Sequence, residues 1–105
     1  MVSKYQIVLS TCPDEQSAQA IARALVEQRL AACVNILPVM QSVYLWKGSI
    51  QQDKEQLLII KSTVQHYNKI EQGIRALHPY ELPEIIAVPI TNGLNEYLKW
   101  LENPE

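Results

Sequence analysis

Two β-rich stretches joined by one turn dominate this sequence. The chain reads as strand from about Ala31 to Trp46 and again from about Ile50 to Lys61, with Lys47-Gly48-Ser49 as the turn between them. At about 3.3 Å per residue, a strand of about 14 residues spans roughly 45 Å. A domain of about 100 residues has a radius of gyration of only about 13 Å. A ribbon of that reach overhangs its own globule. Its tip, Val43-Tyr44-Leu45-Trp46, is apolar and aromatic. An apolar ribbon with unpaired edges invites association, and cyclic assembly of identical chains is the economical way to bury it. The competing arrangement folds the ribbon back over its own sheet. Pro38 lacks an amide donor, so it demands a bulge or an edge position in the second strand.

The remaining elements fix the fold class. From Lys4 to Cys12, Tyr5, Ile7 and Leu9 alternate with Gln6, Val8 and Ser10, the signature of a strand. Pro13-Asp14-Glu15 opens a helix with proline early and acids in its first turn. Ala18, Ile21, Ala22, Leu25 and Val26 form its apolar stripe, and Arg29 falls near its end. Ser62-Thr63-Val64-Gln65 matches a capping box, ahead of a helix carrying Tyr67, Ile70, Ile74 and Leu77. Gly73 inside that helix costs about 1 kcal/mol relative to alanine, which points to close packing. Ile85 to Ile90 reads as a fourth strand, Thr91-Asn92-Gly93 as a turn, and Leu94, Tyr97, Leu98 and Leu101 as a short closing helix. Strand, helix, strand, strand, helix, strand, plus a terminal helix, is the split βαβ plan. The expectation is therefore α+β: a ferredoxin-like antiparallel sheet with helices on one face, a long β2–β3 hairpin and an extra C-terminal helix. Residues 1–105 form one domain, the size that a single core supports.

Composition excludes several classes. The apolar share of 48% suffices for a core, so neither disorder nor a disulfide scaffold is required. Net charge is -2, and the nine lysines and arginines are scattered. That distribution lacks the basic footprint of a nucleic-acid binder. No apolar run approaches a membrane span, and the first residues lack the apolar core of a signal peptide. Cytoplasmic location follows as the expectation. Cys12 and Cys33 fit free thiols in a reducing compartment. No phosphate-binding loop appears, because Gly48, Gly73 and Gly93 stand apart.

Several segments, in this order, resemble the CutA, or divalent-cation-tolerance, family. They are Leu30-Ala31-Ala32-Cys33-Val34-Asn35, Ser42-Val43-Tyr44-Leu45-Trp46-Lys47-Gly48, Ile59-Ile60-Lys61-Ser62, His78-Pro79-Tyr80-Glu81-Leu82-Pro83-Glu84 and Tyr97-Leu98-Lys99-Trp100. The resemblance runs from about Ile7 to Leu101. It implies a ferredoxin-like protomer, a stable homotrimer, and a role in tolerance to copper and other divalent metals. It also implies a trimer similar in architecture to the PII signalling proteins.

Candidate sites each carry a plainer reading. His78, Glu81 and Glu84 lie in one loop made rigid by Pro79 and Pro83. Imidazole suits copper and zinc and carboxylates suit harder ions, so this set is expected to bind divalent metals with little selectivity. The plainer reading of His78 is a cation at a helix C-terminus. Cys33 is either a small buried hydrophobe or a thiolate ligand for a soft ion in a cleft between subunits. Cys12, at a helix start, is either an exposed thiol without a role or one whose pKa the helix lowers. Tyr80, Trp46 and Lys61 are read as the wall of the same cleft, Lys61 as an anion contact. Packing explains the aromatics Tyr44, Trp46, Tyr80 and Trp100 equally, and a solvated position explains Lys61. His66 reads as a surface histidine.

The expected function is a cytoplasmic trimer that binds copper or another divalent metal and is not an enzyme. Its partners are its own copies, the metal ion and an unidentified protein; nucleic acid and membrane are excluded. The alternative is a PII-like small-molecule sensor. A catalytic Cys33–His78 pair lacks an orienting third group and a cofactor motif.

Overall fold

The fold described here is that of a computed structural model, which describes residues 3–104. Strand β1 (Tyr5–Cys12) leads into helix α1 (Glu15–Glu27), and strands β2 (Cys33–Trp46) and β3 (Ser49–Thr63) form the hairpin. Helix α2 (Tyr67–Leu77), strand β4 (Ile85–Pro89) and helix α3 (Asn95–Glu102) complete the chain. The sheet order is β2-β3-β1-β4 and every pairing is antiparallel. This is the α+β, split βαβ plan expected from the sequence.

Local chemistry sets the boundaries of α1. The Asp14 carboxylate accepts a hydrogen bond from the Ser17 amide at 2.8 Å, which caps the helix and holds the Asp14 pKa below its ordinary value. At the other end Arg29 adopts a left-handed φ of 59°, and the Leu30 amide donates back to the Leu25 carbonyl, the Schellman pattern. The hairpin turn is tighter than the sequence suggests. Lys47 and Gly48 take φ of 50° and 82°, a two-residue primed turn, and Ser49 already belongs to β3.

The capping box at Ser62–Gln65 does not form. The ladder between β1 and β3 runs on to Tyr5 opposite Thr63, so both residues stay extended. The Gln6 amide group donates to the Ser62 hydroxyl and the Thr63 carbonyl inside the protein. One turn of 3-10 helix, Val64–His66, then precedes α2, and neither start has a side-chain cap. Ladder pairing outcompetes the local cap.

Alternation along β1 divides the molecule. Gln6, Val8, Ser10 and Cys12 face the helices and are buried. There Val8, Leu58 and Ile60 pack against Ile21 and Leu25 of α1 and Ile70 and Ile74 of α2. Gly73 allows that contact: a Cβ on it would lie 3.1 Å from Leu25 Cδ2. The opposite face carries Ile7 and Leu9, Leu57 and Ile59, and Ile86 and Val88 in register. Helix α3 lies against it, on β3, and Ile86 and Val88 remain exposed.

The ribbon overhangs as its length requires. The protein measures 45 × 29 × 23 Å, with a radius of gyration of 14.3 Å. Leu45 and Ile50 at the tip are 70% and 79% exposed. At Pro38-Val39 the pairing breaks: Leu37 faces Leu57 but the next pair is Met40 with Glu55, so three steps along β2 match two along β3. This is the bulge that the proline demands.

Ile60 is fully buried between the sheet and both helices. Ile60→Ala is expected to cost about 2–5 kcal/mol of stability, read as a lower midpoint in urea unfolding at fixed protein concentration.

Candidate functional site

The loop between α2 and β4 folds against the base of the hairpin. A cleft of about 940 Å³ opens between them. Met40, Ser42, Tyr44 and Trp46 of β2 pair in register with Glu55, Asp53, Gln51 and Ser49 of β3. Directly opposed residues share a face. Tyr44, Trp46 and Glu55 therefore line the cleft from the ribbon side, and Tyr80, Glu81 and Glu84 from the loop side.

Glu55 is the chemical centre of this arrangement, and sequence reasoning missed it. It is only 6% exposed, an unusual position for a carboxylate. The Tyr80 hydroxyl donates to its Oε2 at 3.0 Å. Burial, followed by this bond to Glu55, pushes the Tyr80 phenol well above its ordinary pKa, so it stays a neutral donor. Tyr44 donates in the same way to Asp53, and that bond, more than burial, raises its phenol pKa. In the sequence Glu55 sits among Gln51, Gln52, Asp53 and Lys54, which read as the solvated part of a strand. Only the register past the bulge and the reach of Tyr80 distinguish it.

His78 braces the loop. Its ring is buried, with Nε2 2.6 Å from the Thr11 carbonyl oxygen, while Nδ1 accepts from the Tyr80 amide at 3.1 Å. In the neutral imidazole this assigns the proton to Nε2. Both nitrogens are thus engaged within the chain, and the ring packs 4.9 Å from that of Tyr80. His78 is the C-cap residue of α2, and its ring adds a buried crosslink between the loop and β1.

The other expected residues separate into two places. Trp46 and Tyr80 do share the cleft with Glu81 and Glu84. Cys33 and Lys61 do not. They pair with each other across β2 and β3, and Lys61 also pairs with Ile7 of β1. Ile7 lies four residues from Thr11, which is about 13 Å along the strand. Cys33 therefore sits toward the opposite end of the sheet from His78 and does not meet it. Lys61 Nζ lies 5.9 Å from the Tyr97 ring centroid instead of in the cleft, because the ladder register carries it toward α3. Cys33 is partly exposed, not a core residue. Among the described residues, no three histidine, cysteine, aspartate or glutamate side chains converge as a metal site. His66 is partly buried, with Nδ1 3.3 Å from Thr63 Oγ1.

Cys12 departs from both of its expectations. It ends β1 pointing into the core, and burial pushes its thiol pKa up to about 11. The thiol stays protonated in the folded chain at pH values where the unfolded chain, with an ordinary value of 9.0, ionises. Between about pH 9 and about pH 11 the folded state therefore binds more protons, and stability falls as pH rises. Denaturation midpoints measured across that window are expected to decline, and Cys12→Ala is expected to flatten the decline. A second measurement concerns the cleft. Tyr80→Phe strips the donor from a buried carboxylate and is expected to cost about 1–3 kcal/mol in urea unfolding.

Comparison with known proteins agrees with this architecture. Residues 6–104 match the model of the CutA1 divalent ion tolerance protein family. The divalent-cation tolerance protein CutA of Thermus thermophilus is 51% identical over 96 residues, covering 91% of this chain and 93% of that protein. The crystal structure of CutA1 from Shewanella sp. SIB1 superposes with a TM-score of 0.93 at 42% identity, covering 96% of this chain and 94% of the other. Protein CutA, chloroplastic, of Arabidopsis thaliana is 43% identical over 97 residues, which is 92% of this chain and 53% of the plant protein. The chain thus spans about half the length of that plant relative. Matched over nearly its whole length by the family model and by relatives of high identity, the chain belongs to the CutA1 divalent ion tolerance family.

Proposed function

We propose that this protein is a non-catalytic, cytoplasmic homotrimer that binds divalent metal ions, copper among them, at sites completed between copies. The observation that carries this reading is the amount of apolar surface one copy leaves uncovered. The ribbon tip exposes Val43, Leu45 and Ile50, and the sheet face opposite α1 and α2 exposes Ile86 and Val88. Two separate apolar surfaces of this kind call for partners, and a cyclic arrangement of identical chains supplies them without leaving free edges.

Assembly also bears on the metal. Glu81 and Glu84 are exposed and make no ion pair among the described residues, so a neighbouring copy can complete their coordination. Cys33 lies toward the other end of the sheet and ligates only an ion held there between copies. His78 ligates only by giving up Thr11 or Tyr80. Carboxylates favour harder ions and the thiolate favours Cu(I), so the two places differ in preference. The absence of contact between Cys33 and His78 removes the one nucleophile–base pair suggested by the sequence, which supports a binding role over catalysis.

A small-molecule sensor is the second reading. It draws on the cleft, whose volume lies in the range of small-ligand pockets.

Sedimentation at micromolar concentration is expected to give a trimer, and calorimetry of that trimer is expected to show saturable binding of Cu(I), Cu(II) or Zn(II). Cys33→Ser is expected to weaken Cu(I) selectively, and Glu81→Gln with Glu84→Gln the harder ions. A stably folded monomer, or heats no greater than dilution for all three ions, defeats the proposal.

A further inference from the structure

The charged residues lining the cleft are of one sign, with Lys47 Nζ outside the lining at 5.8 Å from the Trp46 ring centroid. The lining includes Glu55, Glu81 and Glu84, and among the described residues no lysine, arginine or histidine. Glu55 is more than nine-tenths buried, and Tyr80 occupies only its Oε2. Oε1 has no hydrogen-bond donor among the described residues, on a side chain that lines the open cleft. That oxygen is open to the cleft, so a donor or cation entering it can meet the carboxylate there.

The walls add a second requirement. Tyr80 meets the acid directly, and Tyr44 and Trp46 extend the aromatic wall further along the ribbon. Aromatic faces attract desolvated cations, tryptophan most strongly. Size then separates the possible cations. A metal ion needs three or more donors within about 2.0–2.6 Å of one point. Within one chain the described residues offer no such convergence, so a metal at Glu81 and Glu84 needs donors from a neighbouring copy, and about 940 Å³ far exceeds what one ion fills. An extended organic cation can reach several of these acids without a neighbouring copy, while its methylene segments lie on the rings. Nucleotides and organic polyanions, the obvious ligands for a signalling trimer, meet only like charge.

We propose that the cleft between the α2–β4 loop and the hairpin is a binding site for a small organic ammonium ion, a linear di- or polyamine, with Glu55 as its buried anchor, Glu81 and Glu84 pairing with further ammonium groups, and Tyr44, Trp46 and Tyr80 as its walls. Tyr80 is a positioning residue as well, because its hydroxyl fixes Oε2 and leaves Oε1 to the ligand. The inference deepens the sensor reading and does not depend on metal binding.

The test is calorimetric titration of the assembled protein with spermidine at physiological salt, with EDTA present so that no metal contributes. One saturable site per chain is expected, with no binding of ATP or citrate. Glu55→Gln keeps an acceptor for Tyr80 but removes the charge, and is expected to weaken spermidine by about tenfold or more. The doubly neutralised loop variant Glu81→Gln, Glu84→Gln changes only exposed side chains, so it tests the site even if Glu55→Gln fails to fold. It is expected to weaken binding by about fivefold or more. Glu27→Gln, on the far side of α1, is expected to change nothing. Absence of saturable spermidine binding, unchanged affinity in the loop variant, or equal loss in Glu27→Gln overturns the proposal. Metal titrations without EDTA stand or fall separately.

Discussion

The pairing of β2 with β3 is the constraint on which the rest depends. For its inner half, the ladder lies in a four-stranded sheet under two helices and shares their core. For its outer half, it has only itself. A two-stranded ribbon is marginal in water without a surface to pack on. Yet this one carries Val43, Leu45 and Ile50 on one side and Tyr44 and Trp46 on the other. The energy that stabilises the inner half comes from the core; in the proposed assembly another copy supplies it for the outer half. In that proposed assembly stability and association are one quantity, and unfolding depends on concentration.

The same division of the hairpin locates the cleft. Where the sheet ends and the ribbon begins, β1 stops at Cys12 and the strand next to β3 is missing. The loop carrying Tyr80 fills part of that gap, held by His78 on Thr11 and by Tyr80 on Glu55. A buried acid is tolerated there because a neutral phenol reaches it. Pro79 and Pro83 limit the conformations that the loop must give up to make these contacts, so less entropy is lost on closing it.

Much of the fold could be read from the residues themselves. Alternation in β1, the stripe of α1 and the length of the hairpin follow from spacing, and Pro38 announced its bulge. The Ser62–Gln65 segment misled because a local motif cannot report that a strand elsewhere will pair with it. The site was less legible for a related reason. His78, Glu81 and Glu84 are close in sequence, and proximity along the chain suggested a common task. The imidazole instead turns inward to a carbonyl, while both acids remain outside. Cys33 and Lys61 were assigned to the cleft by residue chemistry, but ladder register carries them elsewhere. Glu55 was invisible because its significance comes from a contact across 25 residues.

The interruption at Pro38-Val39 does more than accommodate an imide. It acts as a half-turn of phase along the strand: odd-numbered residues of β2 face the open side of the sheet before it, even-numbered ones after it. With the same residues but no bulge, Val39 would stand opposite Glu55 and the whole tip would rotate, presenting Val43 and Leu45 to the acids and sending Tyr44 and Trp46 outward. A change of residue type at these two positions alters local packing, but the bulge itself decides which chemistry meets Glu55. One surplus residue on β2, with no counterpart on β3, aims the tip.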